Sequence, residues 1–303
     1  MTYFHPLLDA SSASAIMEAV TVSLMGGNPP QMVMGFSPAH RAKIFPILFK
    51  TIKTIPGLPA QIRKARSYRR PPQPGGTGAL NRFLFIDLDA SSLLSSFRAA
   101  SKRFGVTIND LLMGCLALSL RPLWSKKPIA GRRRTLAIQS IADIRGDLNI
   151  PRNYPGVFLG AFSVSVPIDD ITGISEVLKI INRQTVSIKR SGKQYSSLLG
   201  LFVSNLLIKG FFSGKKEKFY IKYYPHWGGI TNLNLNALWK EKEKMPVEYH
   251  RAVSTGPVVP VVLSATTLGN NLTLGVSIRT DIFSDDDIEN IKESILEVIG
   301  DLR

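Results

Sequence analysis

Apolar positions recur along the chain at two spacings, and the spacing decides the element. Phe83 to Asp89 reads as a strand. Ser91 then reads as a cap for a helix with Leu94, Phe97 and Phe104 on one face. Thr107 caps a second helix, Ile108 to Leu120, which is apolar nearly all round and is therefore expected to be buried at the centre of the fold. Leu136–Ile141 and Val157–Val166 read as strands, with a loop holding Asp143-Ile-Arg145 between them. Helices are predicted over 174–189 and 196–212. Strands are predicted near 228–236, 248–254, 258–266 and 272–279. Ser284 opens the last helix with an acid three residues on at Asp287, and its apolar stripe is Ile288, Ile291, Ile295, Ile299 and Leu302. Near the start, residues 11–20 read as a short helix opened by a serine cap. Strands and helices mix without strict alternation, which predicts an α/β (α+β) fold: a mixed β-sheet with helices packed on it. No internal repeat is found.

Composition supports a large core. The chain has 303 residues, of which 44% are hydrophobic and 20% charged, so wholesale disorder is excluded. Cys115 is the one cysteine, which rules out an intrachain disulfide and a cysteine-based zinc cluster. It lies in the apolar helix and reads as inert core. No metal site is expected from the four histidines. The first nine residues lack a basic start followed by an apolar run, so a secretory signal is not expected, and the chain reads as soluble and cytoplasmic.

The net charge of +16 is uneven. Residues 41–82 hold ten Lys/Arg and no acid, and end in the Pro/Gly-rich run Pro71 to Gly78. That run reads as a linker. Two readings of the segment are open: a basic amphipathic helix lying on an anionic membrane, or a solvated connector. Nucleic acid is not an expected partner, because aromatics do not interleave with the cations as a stacking platform requires.

The candidate chemistry sits at the start, in Tyr3-Phe4-His5-Pro6-Leu7-Leu8-Asp9-Ala10. This stretch resembles the His-His-x-x-x-Asp-Gly motif of the CoA-dependent acyltransferases. That superfamily includes chloramphenicol acetyltransferase, condensation domains, wax ester synthase/diacylglycerol acyltransferases and alcohol acetyltransferases. Phe104 to Leu120 is similar to its Gly-x-Thr-x-Asn-Asp helix, Ile138–Arg145 with Asn153–Gly156 to its Asp-x-Arg region, and Leu272–Asp287 to its terminal strand and helix. Phe4 and Ala10 stand where the family has a histidine and a glycine.

The resemblance implies the second lobe of a chloramphenicol acetyltransferase-like fold. Residues 1–40 would be a remnant of the first lobe, 41–82 a basic connector and 83–303 the C-terminal lobe. The chain would be N-terminally truncated relative to the family, with a partner chain able to supply the missing lobe. The resemblance also implies acyl transfer from acyl-CoA, as co-substrate rather than bound cofactor, to an alcohol or lipid acceptor. His5 would be the general base. Asp9 would hold the loop by pairing with an arginine, for which Arg145 is the candidate. Thr231 or Asn232 would border the tunnel as oxyanion donor. Two alternatives stay open: an amide-forming condensation-domain fragment, and an inactive remnant or interaction module. His226 reads as a surface-loop histidine, with a place lining the acceptor channel as the alternative, and Asn109-Asp110 as residues that cap and position the buried helix.

Overall fold

The computed structural model of the protein describes residues 8–33, 44–72, 80–86, 88–125, 131–167, 173–211, 219, 222–223, 225–240, 242–255 and 259–302. The strands are β1 (Asn81–Ile86), β2 (Thr135–Asp143), β3 (Leu159–Pro167), β4 (Gly228–Asn234), β5 (Val261–Leu268) and β6 (Asn271–Arg279). They form one sheet in the order β1-β6-β5-β4-β2-β3. The β4 pairings with β5 and with β2 are parallel, and the other three pairings are antiparallel. The sheet is mixed, as the irregular alternation of elements predicts.

Helices α1 (Ala10–Leu24), α2 (Ile44–Ile52) and α3 (Leu58–Ala65) precede the sheet. Then come α4 (Ala90–Phe104), α5 (Ile108–Ser119), α6 (Ile174–Ser191), α7 (Ser196–Phe211) and α8 (Asp285–Gly300). The reason α5 is central lies in its composition. Leu111, Leu112, Met113 and Leu116 are wholly buried, and α4, α6 and α8 pack around it against one face of the sheet. Each such side chain stabilises the fold by about 1.5–3 kcal/mol relative to exposure. Cys115 is buried there, and burial pushes its thiol up to about 12, so it is unreactive core. All five apolar positions of the C-terminal stripe are buried, and Ser284 and Asp287 form the expected capping box.

Other boundaries differ from the sequence reading, for local reasons. Asp9, not a serine, caps α1, and Asp89, not Ser91, caps α4. Each carboxylate accepts a backbone N–H of the first turn, a bond that a serine hydroxyl also makes, so pattern alone does not choose between adjacent candidates. Residues 248–254 form no strand. They cross one face of the sheet as a strap, with Ser264 Oγ donating to the Arg251 carbonyl at 2.8 Å and Thr273 Oγ1 to the Tyr249 carbonyl at 3.0 Å. Side-chain hydroxyls replace a ladder here.

Residues 44–72 and 80–82 of the basic segment are among the described residues. It holds α2 and α3, and residues 67–69 are fastened to the start of β2. Arg69 N–H donates to the Thr135 carbonyl at 2.7 Å, and Thr135 N–H to the Ser67 carbonyl at 3.1 Å. Tyr68 is buried. The run 73–79 lies outside the described residues.

Candidate active site

The sheet opens at one end. Strands β2 and β4 pair only over Ile138–Ser140 with Gly228–Ile230, while β2 runs on to Asp143 and β4 to Asn234. A cavity of about 260 Å³ lies beyond the last paired residues, lined among others by Asn109, Met113, Asp143, Phe162, Lys189 and Asn232. The carboxyl ends of parallel strands are where α/β sheets place ligands, because the loops diverge there.

Asp9 seats the start of α1 beside this end. It is 0% exposed, and its partner Arg145, just past β2, is 2% exposed. Arg145 Nη2 donates to both carboxylate oxygens of Asp9 at 2.9 Å, and to Ser12 Oγ at 2.7 Å. Nη1 donates to the Tyr154 carbonyl at 2.9 Å. Asp9 also accepts from the backbone N–H of Ser12 at 2.8 Å and of Phe158 at 3.1 Å. The Phe158 ring lies under the guanidinium at 4.5 Å. One ion pair therefore ties together the N-terminus of α1, the end of β2 and the loop 151–158. Both charges are desolvated, so neither tolerates loss of the other. Ser11 Oγ donates to Asp143 Oδ2 at 3.4 Å, which brings α1 to the rim of the cavity.

His5 lies outside the described residues. Ala10, which stands at the glycine of the resembled motif, is the first helical residue of α1. Among the described non-glycine residues only Asn149 has a positive φ, so the backbone at Ala10 does not require glycine.

Thr231 and Asn232 fall on opposite faces of β4, as adjacent strand residues must. Asn232 points to the α5 side, lines the cavity and donates from Nδ2 to Asn109 Oδ1 at 3.0 Å. Thr231 points to the other face, where Leu233 packs with Ala10. There Thr231 Oγ1 accepts from Arg251 Nη1 at 3.0 Å and the Thr231 carbonyl accepts from Nη2 at 2.9 Å. The two residues therefore cannot serve one site together from the same side.

Asp110 forms the capping box with Thr107, whereas Asn109 faces the cavity and Asn232. His226 is buried rather than on a surface loop. Its Nε2 is 2.7 Å from Ser163 Oγ, and its ring lies 6.2 Å from that of Tyr68. The signal that could have found this is Trp227-Gly-Gly, which leads straight into a central strand. Arg251 was not foreseen, because Thr231 and Ala265 are remote from it in sequence, and Lys189 was not foreseen at the cavity, because the residues that line the cavity with it come from distant elements.

No protein-family model matches the sequence, and no curated protein matches it. Solved structures do. The chain is similar to the X-domain from teicoplanin biosynthesis at 13% identity and TM-score 0.57, over 98% of this chain and 67% of that one. It is similar to the epimerization domain from the third module of tyrocidine synthetase B at 12% identity and TM-score 0.58, over 98% and 67%. PapA2 acyl transferase aligns at 13% identity and TM-score 0.57, over 98% and 63%. The chain thus has the fold of the condensation and epimerization domains of nonribosomal peptide synthetases. Its mixed six-stranded sheet with packed helices is the α/β architecture that the sequence resemblance implies. It spans about two thirds or less of the length of these proteins.

Proposed function

We propose that the protein transfers an acyl group from a thioester, acyl-CoA, to a hydroxyl acceptor, with His5 as general base. The observation that carries this reading is the buried Asp9–Arg145 pair at the open end of the sheet. It fixes Asp9, which follows His5 by four residues in the sequence, within a fold shared with an acyl transferase and with condensation domains. The neutral imidazole of His5 takes the acceptor's proton as its oxygen attacks the thioester carbonyl. The C–S bond then breaks, and the thiolate recovers that proton from the imidazolium. A base with an ordinary pKa near neutrality suits both halves of the cycle. Asp9 and Arg145 act through position rather than by touching substrate. Asn232, at the cavity, and Thr231, on the Asp9 side, are the two candidate donors to the oxyanion.

The test incubates the full chain with radiolabelled acyl-CoA and a panel of alcohols and amines, beside His5→Ala. Acyl ester formed by the protein and lost in the variant is expected. Transfer to amines alone would replace this reading with the amide-forming one. Equal background from both proteins would overturn catalysis by this chain.

A further inference from the structure

Helix α2 is built the wrong way round for a helix that packs only on its own protein. Its residues facing the fold are Ile47 and Thr51, followed by Thr54, with Ile47 against the small cluster of Ile144, Leu148 and Tyr195. Its large apolar side chains face out. Phe45 is 72% exposed and Phe49 60%, and Leu48 and Ile52 are likewise exposed. These four fall at i, i+3, i+4 and i+7, one continuous helical stripe. Ile55 and Ile62 extend the exposed apolar surface into α3. Helix α7 packs against α2 and exposes Val203 and Leu206. An isolated exposed leucine needs no explanation, but a stripe of two phenylalanines, a leucine and an isoleucine does.

Charge identifies what covers it. Residues 41–82 carry ten cations and no acid, and residues 196–223 carry five lysines against one glutamate. Helices α2 and α7 of these two segments pack together, and by sequence the segments hold fourteen of the sixteen excess positive charges, of which Arg82 lies across the sheet on β1. Arg63, Arg66 and Lys209 are exposed, and Lys53 Nζ lies 4.4 Å over the Phe49 ring at the edge of the stripe. A second copy of the chain is a poor occupant. A two-fold interface would press this positive surface against itself. An apolar stripe bordered by cations matches the acyl boundary and headgroups of an anionic bilayer, with the helix lying in the interface plane. No helix among the described residues is long and apolar enough to cross a membrane, so the contact is peripheral.

We propose that α2, with α3 and α7 beside it, docks the protein on the surface of an anionic lipid membrane. The test sediments the full chain with vesicles of phosphatidylcholine alone and of phosphatidylcholine mixed with phosphatidylglycerol. Binding to the mixed vesicles at low salt, weakening as salt rises, is expected. Phe45→Ser/Phe49→Ser should lower the partition coefficient about tenfold or more, and Arg63→Glu/Arg66→Glu several-fold, with unchanged circular dichroism. These sites are exposed, so the variants fold. Absence of binding to anionic vesicles, equal binding to neutral ones, or binding indifferent to the double Phe variant would overturn the proposal. So would a concentration-dependent dimer that Phe45→Ser/Phe49→Ser dissolves, which would assign the surface to a second copy. The readout is binding, so neither sign bears on acyl transfer.

Discussion

The two faces of the sheet are built on different principles. The face under α4, α5, α6 and α8 is dry. Leu136, Ile138, Val164, Ile230, Leu263, Leu274 and Val276 meet Leu, Ile and Phe side chains in one continuous core. The opposite face carries Ser163, Ser165, Gly229, Thr231, Ser264, Thr266, Thr273, Gly275 and Ser277, with Phe83 and Phe85 half exposed at its edge. It is covered by α1, the strap 248–254 and Tyr68, all held largely by hydrogen bonds and one buried ion pair. Apolar burial is non-directional and tolerates repacking, whereas bonds to charge are directional and fix geometry. The first face supplies stability and, at its open end, holds the cavity with Asn109 and Asn232, whereas the second is fixed by directional bonds.

The largest expected effects compare the anchors of the two faces. Phe97→Ala, in the dry core, should cost about 3–5 kcal/mol in urea denaturation. Arg145→Ala should cost a similar ~3–5 kcal/mol because it strands a buried carboxylate. The comparison sharpens with the double variant. Asp9→Ala/Arg145→Ala should cost less than the sum of the singles by about 0.5–3 kcal/mol, since no unpaired charge remains. Strict additivity would mean that the pair is not a coupled unit.

Two glycines give a smaller, cleaner contrast. A Cβ at Gly228 would lie 2.8 Å from Leu116 Cδ2 in the dry core, whereas one at Gly275 would lie 2.7 Å from the Arg251 carbonyl of the strap. Gly228→Ala should lower global stability by about 1–3 kcal/mol through overpacking. Gly275→Ala should instead displace the strap, seen as faster amide exchange across 248–255 with the α5 amides still protected. Equal loss of protection in both places would show that the strap and the core unfold as one.

The same contrast explains what could be read in advance. The dry face was legible because its rule is periodic: α5, the C-terminal stripe and most strands follow from apolar spacing, which is local. The other face obeys no period. Arg145 finds Asp9 across 136 positions, and Arg251 finds Thr231 across twenty. The Asp9–Arg145 pairing was suggested by resemblance to a family motif and not by spacing. The segment 248–254 was read as a strand yet crosses the sheet, because hydroxyls of Ser264 and Thr273 take up its carbonyls. That replacement depends on strands that follow it in the chain. Thr231 and Asn232 were legible as strand residues near an end, but their separation by face depends on β4 pairing in register with β5.

The smallest expected effect concerns the cover at Tyr68. Burial is the main cause that pushes its phenol up to about 12, partly offset by the hydrogen bond with Ser165. The fold therefore favours the neutral phenol. The stabilisation this gives is complete below the ordinary phenol value of 10 and is lost as pH rises through 12. At about pH 11 the loss should be on the order of 1 kcal/mol. Tyr195 is also raised, by burial first and then by its hydrogen bond to Asp147, so it contributes to the same alkaline slope. Tyr68→Phe should flatten that slope without abolishing it. The check is urea denaturation of both proteins at about pH 9 and pH 11. An identical fall in the two would mean that Tyr68 reaches solvent, and that the basic segment does not seal this face of the sheet as its bonds to Thr135 imply.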